Sequence, residues 1–177
     1  MKKKVSRGYS AKGADNGEMD KNETVDEIKG CLKKKLANPK EEVDRVEYTR
    51  ENYLALFGDA EKAETVLGTV LISKNQFQKL ADKERTGYLG AMAQTLNNPD
   101  IVIQAGPAKW YFVKSLKKSA TDGIKVFMDV VVQKGNRKYS ISLHQRLPNN
   151  ILNKIKEPSD ITYTAGRIKA NGSYPTA

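Results

Sequence analysis

The sequence is poor in the residues from which metal sites and cross-links are built. It has one cysteine, Cys31, and one histidine, His144, among 177 residues. A single cysteine excludes an internal disulfide and a cysteine cage for zinc, and a single histidine excludes a multi-histidine metal site. A glycine-rich phosphate-binding loop is also missing. We therefore expect a protein that works without a metal or a cofactor.

Long apolar runs are missing as well. Hydrophobic residues make up 38% of the chain, below the ~45–50% of an ordinary globular protein, so we expect part of the chain to stay unpacked. No stretch approaches the roughly 20 apolar residues of a membrane span. The basic start, Met1–Lys4, is followed by polar residues, which is not the pattern of a signal peptide. These absences predict a protein of a reducing, cytoplasmic compartment with no membrane partner.

Positive charge is concentrated in the second part of the chain. Residues 1–63 hold 14 Lys/Arg and 13 Asp/Glu, whereas residues 64–177 hold 17 and 8, so the net charges are +1 and +9. A domain with such an excess attracts polyanions by electrostatic steering and counterion release. The alternative is that the lysines and arginines only keep the surface soluble.

The pattern of apolar residues divides the chain into four segments. Residues 1–22 are polar and predict a disordered basic arm, and residues 23–63 predict a helical leader, with one helix from Asn22 to Asn38 and another from Thr49 to Phe57. Residues 64–164 predict a compact domain, and 165–177 a flexible tail. Within the compact part we expect strands at 65–72, 101–104, 110–115, 124–133, 137–144 and 161–164, and helices at 73–80, 83–96 and 148–155. Helices followed by a run of antiparallel strands indicate an α+β fold.

The last long strand of the compact domain has the most informative pattern. Tyr139, Ile141 and Leu143 alternate with a polar set, and successive side chains of a strand point to opposite faces of the sheet. The polar set consists of Lys138, Ser140, Ser142 and His144. An ordinary solvated face would look the same. The functional alternative depends on histidine, whose pKa near 6.5 lets it exchange protons at neutral pH.

Other basic and aromatic residues are candidates for contacts with an anion. Lys114 shares the parity of Trp110 and Phe112, so the aromatic residues either stack on bases beside a lysine or belong to the core. Arg85 and Tyr88 share one helix face, and Arg85 either reaches a phosphate or pairs with a nearby carboxylate. The remaining members of this basic set are Lys79, Lys83 and Arg146. Asp129 interrupts an apolar strand, so we expect it to form a salt bridge with a lysine.

Several of these segments resemble a phage- and mobile-element-associated nuclease family of the barnase–EndoU–colicin–RelE-like superfamily. The resemblance covers roughly residues 64–164 and rests on the segments 76–80, 85–89, 95–100 and 109–115, the valine-rich strand, and 141–144. It implies one or two N-terminal helices packed on a four- to five-stranded antiparallel sheet. It also implies metal-independent RNA cleavage on the exposed sheet face. Arg85, Lys114, Ser142 and His144 occupy the matching positions, without a second histidine for a two-histidine mechanism.

Three hypotheses follow for this chain. The first is a toxin-like endoribonuclease in which the 2′-hydroxyl attacks the adjacent phosphorus, His144 acts as general base or acid, and Lys114 and Arg85 stabilise the phosphoryl charge. In this hypothesis Ser142 orients the phosphate or the imidazole. The second is a non-catalytic module that binds RNA or DNA on the same face. The third is an interaction domain for an acidic partner, such as an immunity protein. A bacterial or phage origin and a cytoplasmic location fit all three, and delivery into another cell stays open.

Overall fold

The computed structural model describes residues 17–119 and 123–165, with side chains from Val25 onward. Positions 1–16 of the predicted arm and 166–177 of the predicted tail lie outside these residues. The backbone is helical from Gly17, so the first helix begins before the predicted start at Asn22, and residues 17–22 belong to it rather than to a disordered arm. The helical propensity of Glu18, Met19 and Lys21 accounts for the earlier start.

Five α-helices are present in the described residues. Their bounds are α1 Gly17–Leu36, α2 Arg50–Phe57, α3 Gln76–Asp82, α4 Leu89–Asn97 and α5 Pro148–Leu152, with short 3-10 helices at Thr86–Tyr88 and Pro158–Asp160. The predicted helix 83–96 is interrupted, because Glu84 adopts a left-handed conformation with φ 55° and α4 begins only at Leu89. In contrast, α2 agrees with the prediction: the Thr49 side chain accepts a hydrogen bond from the Asn52 amide at 3.0 Å, a standard N-cap.

The described strands form one seven-stranded sheet in the order β1-β2-β6-β5-β4-β3-β7. Their bounds are β1 Lys62–Thr65, β2 Gly68–Ile72, β3 Ile101–Gly106, β4 Lys109–Lys117, β5 Ile124–Lys134, β6 Arg137–Gln145 and β7 Ile161–Thr164. The α+β class is confirmed. The four to five strands implied by the resemblance are too few. The six strands expected from the sequence pattern become seven because the expected strand 65–72 is a hairpin, β1 and β2, that turns at Val66–Leu67. The sheet is also not wholly antiparallel, since β2 pairs with β6 in parallel.

The two faces of the sheet are covered by different helices. The first core contains Tyr53 and Phe57 of α2 and most of α4, packed on Phe112, Phe127 and Val131. The second core contains residues of α1 and α5 packed on Val113, Met128 and Val130. Side chains on both faces of β4 and β5 are therefore buried, which explains why these central strands are apolar throughout.

The leader 23–63 packs against this sheet. Ile28, Leu32 and Leu36 are at most 1% exposed and follow the four-residue spacing of one helical face. The Leu36 carbonyl accepts a hydrogen bond from the hydroxyl of Ser115 on β4 at 2.5 Å. The predicted boundary between residues 63 and 64 falls inside β1. In the described part of the chain, no helix is long and apolar enough to cross a membrane.

Candidate active site

An open cleft of about 240 Å³ lies between α3 and the second half of β6. Its lining consists of Gln76, Lys79, Leu80, Lys83, Arg85, Ser142, Leu143 and His144. The cleft exists because β2 pairs with β6 only from Lys138 to Ser140. Beyond Ser140 the outer edge of β6 has no strand beside it among the described residues, and the side chains of α3 and the following turn occupy that place.

Two cations of the cleft are anchored to the edge of β6. Lys79 Nζ donates to the carbonyl oxygen of Ile141 at 2.7 Å, and Arg85 Nη1 donates to that of Leu143 at 3.1 Å. These bonds satisfy carbonyl groups that a neighbouring strand would otherwise pair. Glu84, with φ 55°, ends the turn after α3 and directs the chain so that Arg85 faces β6. Both side chains are therefore held in position before any ligand arrives.

His144 is partly buried and lies 3.0 Å from Ser142, measured from Nε2 to Oγ. Burial lowers the pKa of His144 from its usual 6.5, and the positive charges of Arg146, Arg85, Lys79 and Lys83 lower it further. The imidazole is consequently neutral at neutral pH. Four cations around a neutral imidazole form a site suited to an anion such as a phosphate group.

Ser140 does not share the face of Ser142 and His144, so its predicted exposure is wrong. The pairing of β5 with β6 shifts by one residue between Val130 and Val131, which makes Ile141 the extra residue of a β-bulge. The bulge reverses the alternation of side chains on its two sides. Ser140 is 0% exposed, and its hydroxyl donates to Asp129 Oδ1 at 2.6 Å.

Lys114 does not lie on an exposed face either, contrary to the prediction. It is buried on the first-core side of β4, where its Nζ donates to the Asn98 carbonyl at 2.7 Å and forms an ion pair with Glu41 at 2.8 Å. β5 separates it from β6. Lys114 and Phe112 lie on the same face of β4, and this face belongs to the first core. The ammonium group of Lys114 is therefore bound at the end of α4 and not in the cleft.

The four remaining predicted contacts, Trp110, Tyr88, Lys138 and Arg146, lie outside the cleft lining. Arg146 is exposed and directly follows the end of β6. Trp110 is 9% exposed and belongs to the first core, so its predicted role as a stacking platform is wrong; Lys138 Nζ lies 5.4 Å from the centre of its ring. Tyr88 is partly buried, packs edge-on against Phe127 with ring centres 5.0 Å apart, and donates from its hydroxyl to Gln145 Oε1 at 3.0 Å.

Sequence reasoning missed Gln76 and misjudged Asp129. Gln76 lines the cleft although it is 1% exposed, and its Nε2 donates to Met92 Sδ at 3.0 Å. The spacing of Gln76, Lys79 and Lys83 on one helix face was an available signal.

Asp129 is fully buried next to Ser140, and its Oδ2 lacks a hydrogen-bond partner. Its expected salt bridge to a lysine is replaced by the bond from Ser140, and burial raises the pKa of Asp129 well above its usual range.

The described residues contain no group of three or more His, Cys, Asp or Glu side chains placed to hold a metal ion. The eight residues that line the cleft include no carboxylate. Their polar groups are cationic or neutral, and a divalent cation prefers carboxylate and carbonyl oxygens. The polar groups of the lining therefore suit an anionic ligand.

The fold and the cleft together define an α+β protein with a cation-lined cleft that contains the histidine. The chain belongs to the phage-Barnase-EndoU-ColicinE5/D-RelE like nuclease2 family, whose model matches residues 47–158. The match includes every residue that lines the cleft, and it confirms the resemblance found in the sequence. The chain matches no curated protein and no solved structure.

Proposed function

We propose that this protein is a metal-independent endoribonuclease that cleaves RNA in the cleft between α3 and β6. The observation that carries the proposal is the position of a neutral His144 in one cleft with Lys79, Lys83 and Arg85. Membership of a nuclease-like family supports a nucleic acid as the substrate. A histidine among cations meets the two needs of phosphodiester cleavage, which are proton transfer and stabilisation of charge on the phosphoryl oxygens.

The lowered pKa of His144 favours the role of general base. The neutral imidazole accepts the proton of a ribose 2′-hydroxyl while the 2′-oxygen forms a bond to the adjacent phosphorus. The bond between phosphorus and the 5′-oxygen breaks, and the proton taken up by the imidazole returns to that oxygen directly or through water. The products are a 2′,3′-cyclic phosphate and a 5′-hydroxyl. DNA, which lacks the 2′-hydroxyl, is not cleaved by this route.

The cations act on the phosphate and on the histidine. Lys79 and Arg85 are already fixed by the β6 carbonyl groups, so little reorganisation is needed when charge develops on the phosphoryl oxygens. A bound phosphate also raises the pKa of His144, because an adjacent anion favours the imidazolium form. Ser142, 3.0 Å from the imidazole, orients the ring.

The electrostatics of the cleft support metal independence. Four positive side chains act electrostatically on the histidine, and no carboxylate lines the cleft to offset them. A magnesium ion is usually held by one or two carboxylates together with the substrate phosphates. The cations already present supply the charge stabilisation for which other nucleases use metal ions.

The test is cleavage of an RNA oligonucleotide and of its DNA counterpart, with and without EDTA. We expect RNA alone to be cleaved, with a cyclic phosphate detected by mass spectrometry and no effect of EDTA. His144→Ala is expected to slow cleavage by roughly 10²–10⁴-fold, the usual contribution of a positioned acid or base. Lys40→Ala is the control, because Lys40 is exposed and lies away from the cleft. Two residues further on, the backbone of Glu42 forms an isolated β-bridge with Lys117 of β4 and not with β6.

One observation favours a second candidate, a module that binds RNA without cleaving it. His144 is the single member of the cleft lining whose usual pKa lies near neutrality, so a second proton-transfer group is missing there. Binding by the wild-type protein without cleavage would reject the ribonuclease and favour the module. Cleavage of DNA at the same rate would contradict attack by the 2′-hydroxyl. The toxin-like use implied by the sequence resemblance is part of the proposal and is tested by growth arrest on expression, relieved by His144→Ala.

A further inference from the structure

We propose that the sheet face next to the cleft carries a second binding surface for single-stranded RNA, formed by Tyr111, Lys109 and Lys154 and called here the Tyr111 surface. In this proposal Tyr111 stacks on one base of the substrate, and the two lysines contact the phosphates on either side of that base. The inference rests on the proposed function, because it places a further part of the same substrate beyond the cleavage site.

The strand register places Tyr111 in line with the cleft. Tyr111 of β4 pairs with Val130 of β5, and Val130 pairs with Ser142 of β6. Side chains of directly paired residues point to the same face of a sheet. Tyr111 and Ser142 therefore lie on one face, two strand spacings or roughly 10 Å apart. A single strand of RNA that occupies the cleft beside Ser142 and crosses the sheet reaches Tyr111.

Val130, which lies directly between the two positions, is 7% exposed, and the apolar side chains beside it are more open. Val132 and Ile141 are partly exposed, and both pack against the second core together with Tyr111. The bulge at Ile141 turns this side chain to the face of Ser142 instead of the opposite one. A floor of aliphatic side chains between two polar contact points suits the faces of bases, which stack on apolar surfaces.

The chemistry of the Tyr111 surface matches a base flanked by phosphates. Tyr111 is partly exposed, and the ammonium groups of Lys109 and Lys154 lie 5.6 and 5.1 Å from the centre of its ring. Lys109 comes from the start of β4 and Lys154 from the turn after α5, so two separate elements bring charge to one ring. The attachment of Tyr111 to the second core keeps the ring in place, and little entropy is lost when a base stacks on it.

The lysines do not prevent stacking. An exposed lysine over a tyrosine ring is a weak contact, and stacking of a base on an aromatic ring is the stronger of the two interactions. Both lysine side chains are exposed and carry flexible stems, so a base displaces an ammonium group from the ring. The displaced ammonium group then contacts a phosphate next to the stacked base. It exchanges its contact with the aromatic ring for a charge-assisted contact with a full negative charge.

Binding of a 2′-O-methyl RNA oligonucleotide, which cannot be cleaved by 2′-hydroxyl attack, tests this surface separately from catalysis. Tyr111→Leu is expected to raise the Kd roughly 5- to 150-fold, equivalent to ~1–3 kcal/mol for one stacked base, while Tyr111→Phe retains wild-type affinity. Lys40→Ala is the matched charge control for Lys109→Ala and Lys154→Ala. The two lysine variants combined should reduce the salt dependence, the slope of log K against log salt, by roughly 1.4.

Substrate length provides the second measurement. A dinucleotide fills only the cleft, so Tyr111→Leu should cleave it at the wild-type rate and show a raised KM only for the longer oligonucleotide. Wild-type affinity of folded Tyr111→Leu for the oligonucleotide would overturn the Tyr111 surface, and so would equal losses on both substrates. Failure of the ribonuclease proposal looks different: the wild-type protein binds the oligonucleotide, loses affinity on Tyr111→Leu, and cleaves neither RNA. Thermal melting of each variant shows whether it is folded.

Discussion

Ser140 and Ser142 lie two residues apart on β6, and the structure gives them opposite environments. Ser140 is 0% exposed and donates to the buried Asp129 at 2.6 Å, whereas Ser142 is partly exposed in the cleft beside His144. The same substitution by alanine at the two positions should therefore have different effects. We expect Ser140→Ala to lower stability and Ser142→Ala to lower catalysis.

The magnitude for Ser140→Ala follows from the surroundings of its hydroxyl. Asp129 already has one carboxylate oxygen without a partner, and loss of Ser140 Oγ removes the bond to the other. Loss of a partner by a buried polar group costs about 1–3 kcal/mol. For a protein of this size that lowers Tm by roughly 2–12 °C. Ser142 is partly exposed, so Ser142→Ala should change stability by less than ~0.5 kcal/mol.

The loss of stability caused by Ser140→Ala should depend on pH in a defined direction. Burial raises the pKa of Asp129 in the folded protein, while the bond from Ser140 lowers it, so Ser140→Ala raises that pKa further. A carboxyl group with a raised folded pKa stabilises the fold fully below the unfolded value of 3.8, and this contribution is lost as pH rises through the folded pKa. Ser140→Ala should therefore be mildest in acid and become more destabilising as pH rises.

The assay is thermal or urea unfolding of both variants across pH, together with RNA cleavage by the folded proteins. Ser140→Ala should retain the cleavage rate once it is corrected for the folded fraction, and Ser142→Ala should cleave more slowly at unchanged Tm. Equal and small changes in Tm for the two variants would refute the reasoning, because that result is expected if both serines are on a solvated face without a bulge.

Three further outcomes are expected. Leu32→Ala in α1 should cost ~2–5 kcal/mol in urea unfolding, because Leu32 is 1% exposed in the second core; a smaller effect than for an exposed α1 substitution would contradict the packing of the leader. Lys114→Met should lower stability by about 1–3 kcal/mol, since the Asn98 carbonyl and Glu41 lose their partner, and should leave RNA cleavage unchanged; a catalytic defect without a stability loss would contradict this placement. The folded pKa of His144 is lowered, so the contribution of this residue to stability is complete above the unfolded pKa of 6.5 and is lost as pH falls through the folded pKa. His144→Gln should remove this part of the pH dependence of unfolding, as measured by thermal unfolding across pH.

Much of the candidate site could be predicted from the sequence because its determinants are local. The spacing of Lys79 and Lys83 on one helix face and the alternation around His144 depend only on the periods of a helix and a strand. The basic character of the second part and the family resemblance were also available. His144, Ser142, Arg85, Lys79 and Lys83 were predicted as site residues, and the structure brings all five together in one cleft.

The tertiary structure alone decided which side of each strand is open. The face of Lys114 is buried because α4 covers it, and a strand with apolar residues on both faces gives no local signal for this. Ser140 is buried because the pairing of β6 with β5 shifts by one residue at Ile141, and register depends on the partner strand rather than on the sequence of β6. In the same way the short β2 ends at Ile72 and leaves the edge of β6 to Lys79 and Arg85. Local periodicity determined the elements and their chemistry, while long-range pairing and packing determined which polar groups meet solvent.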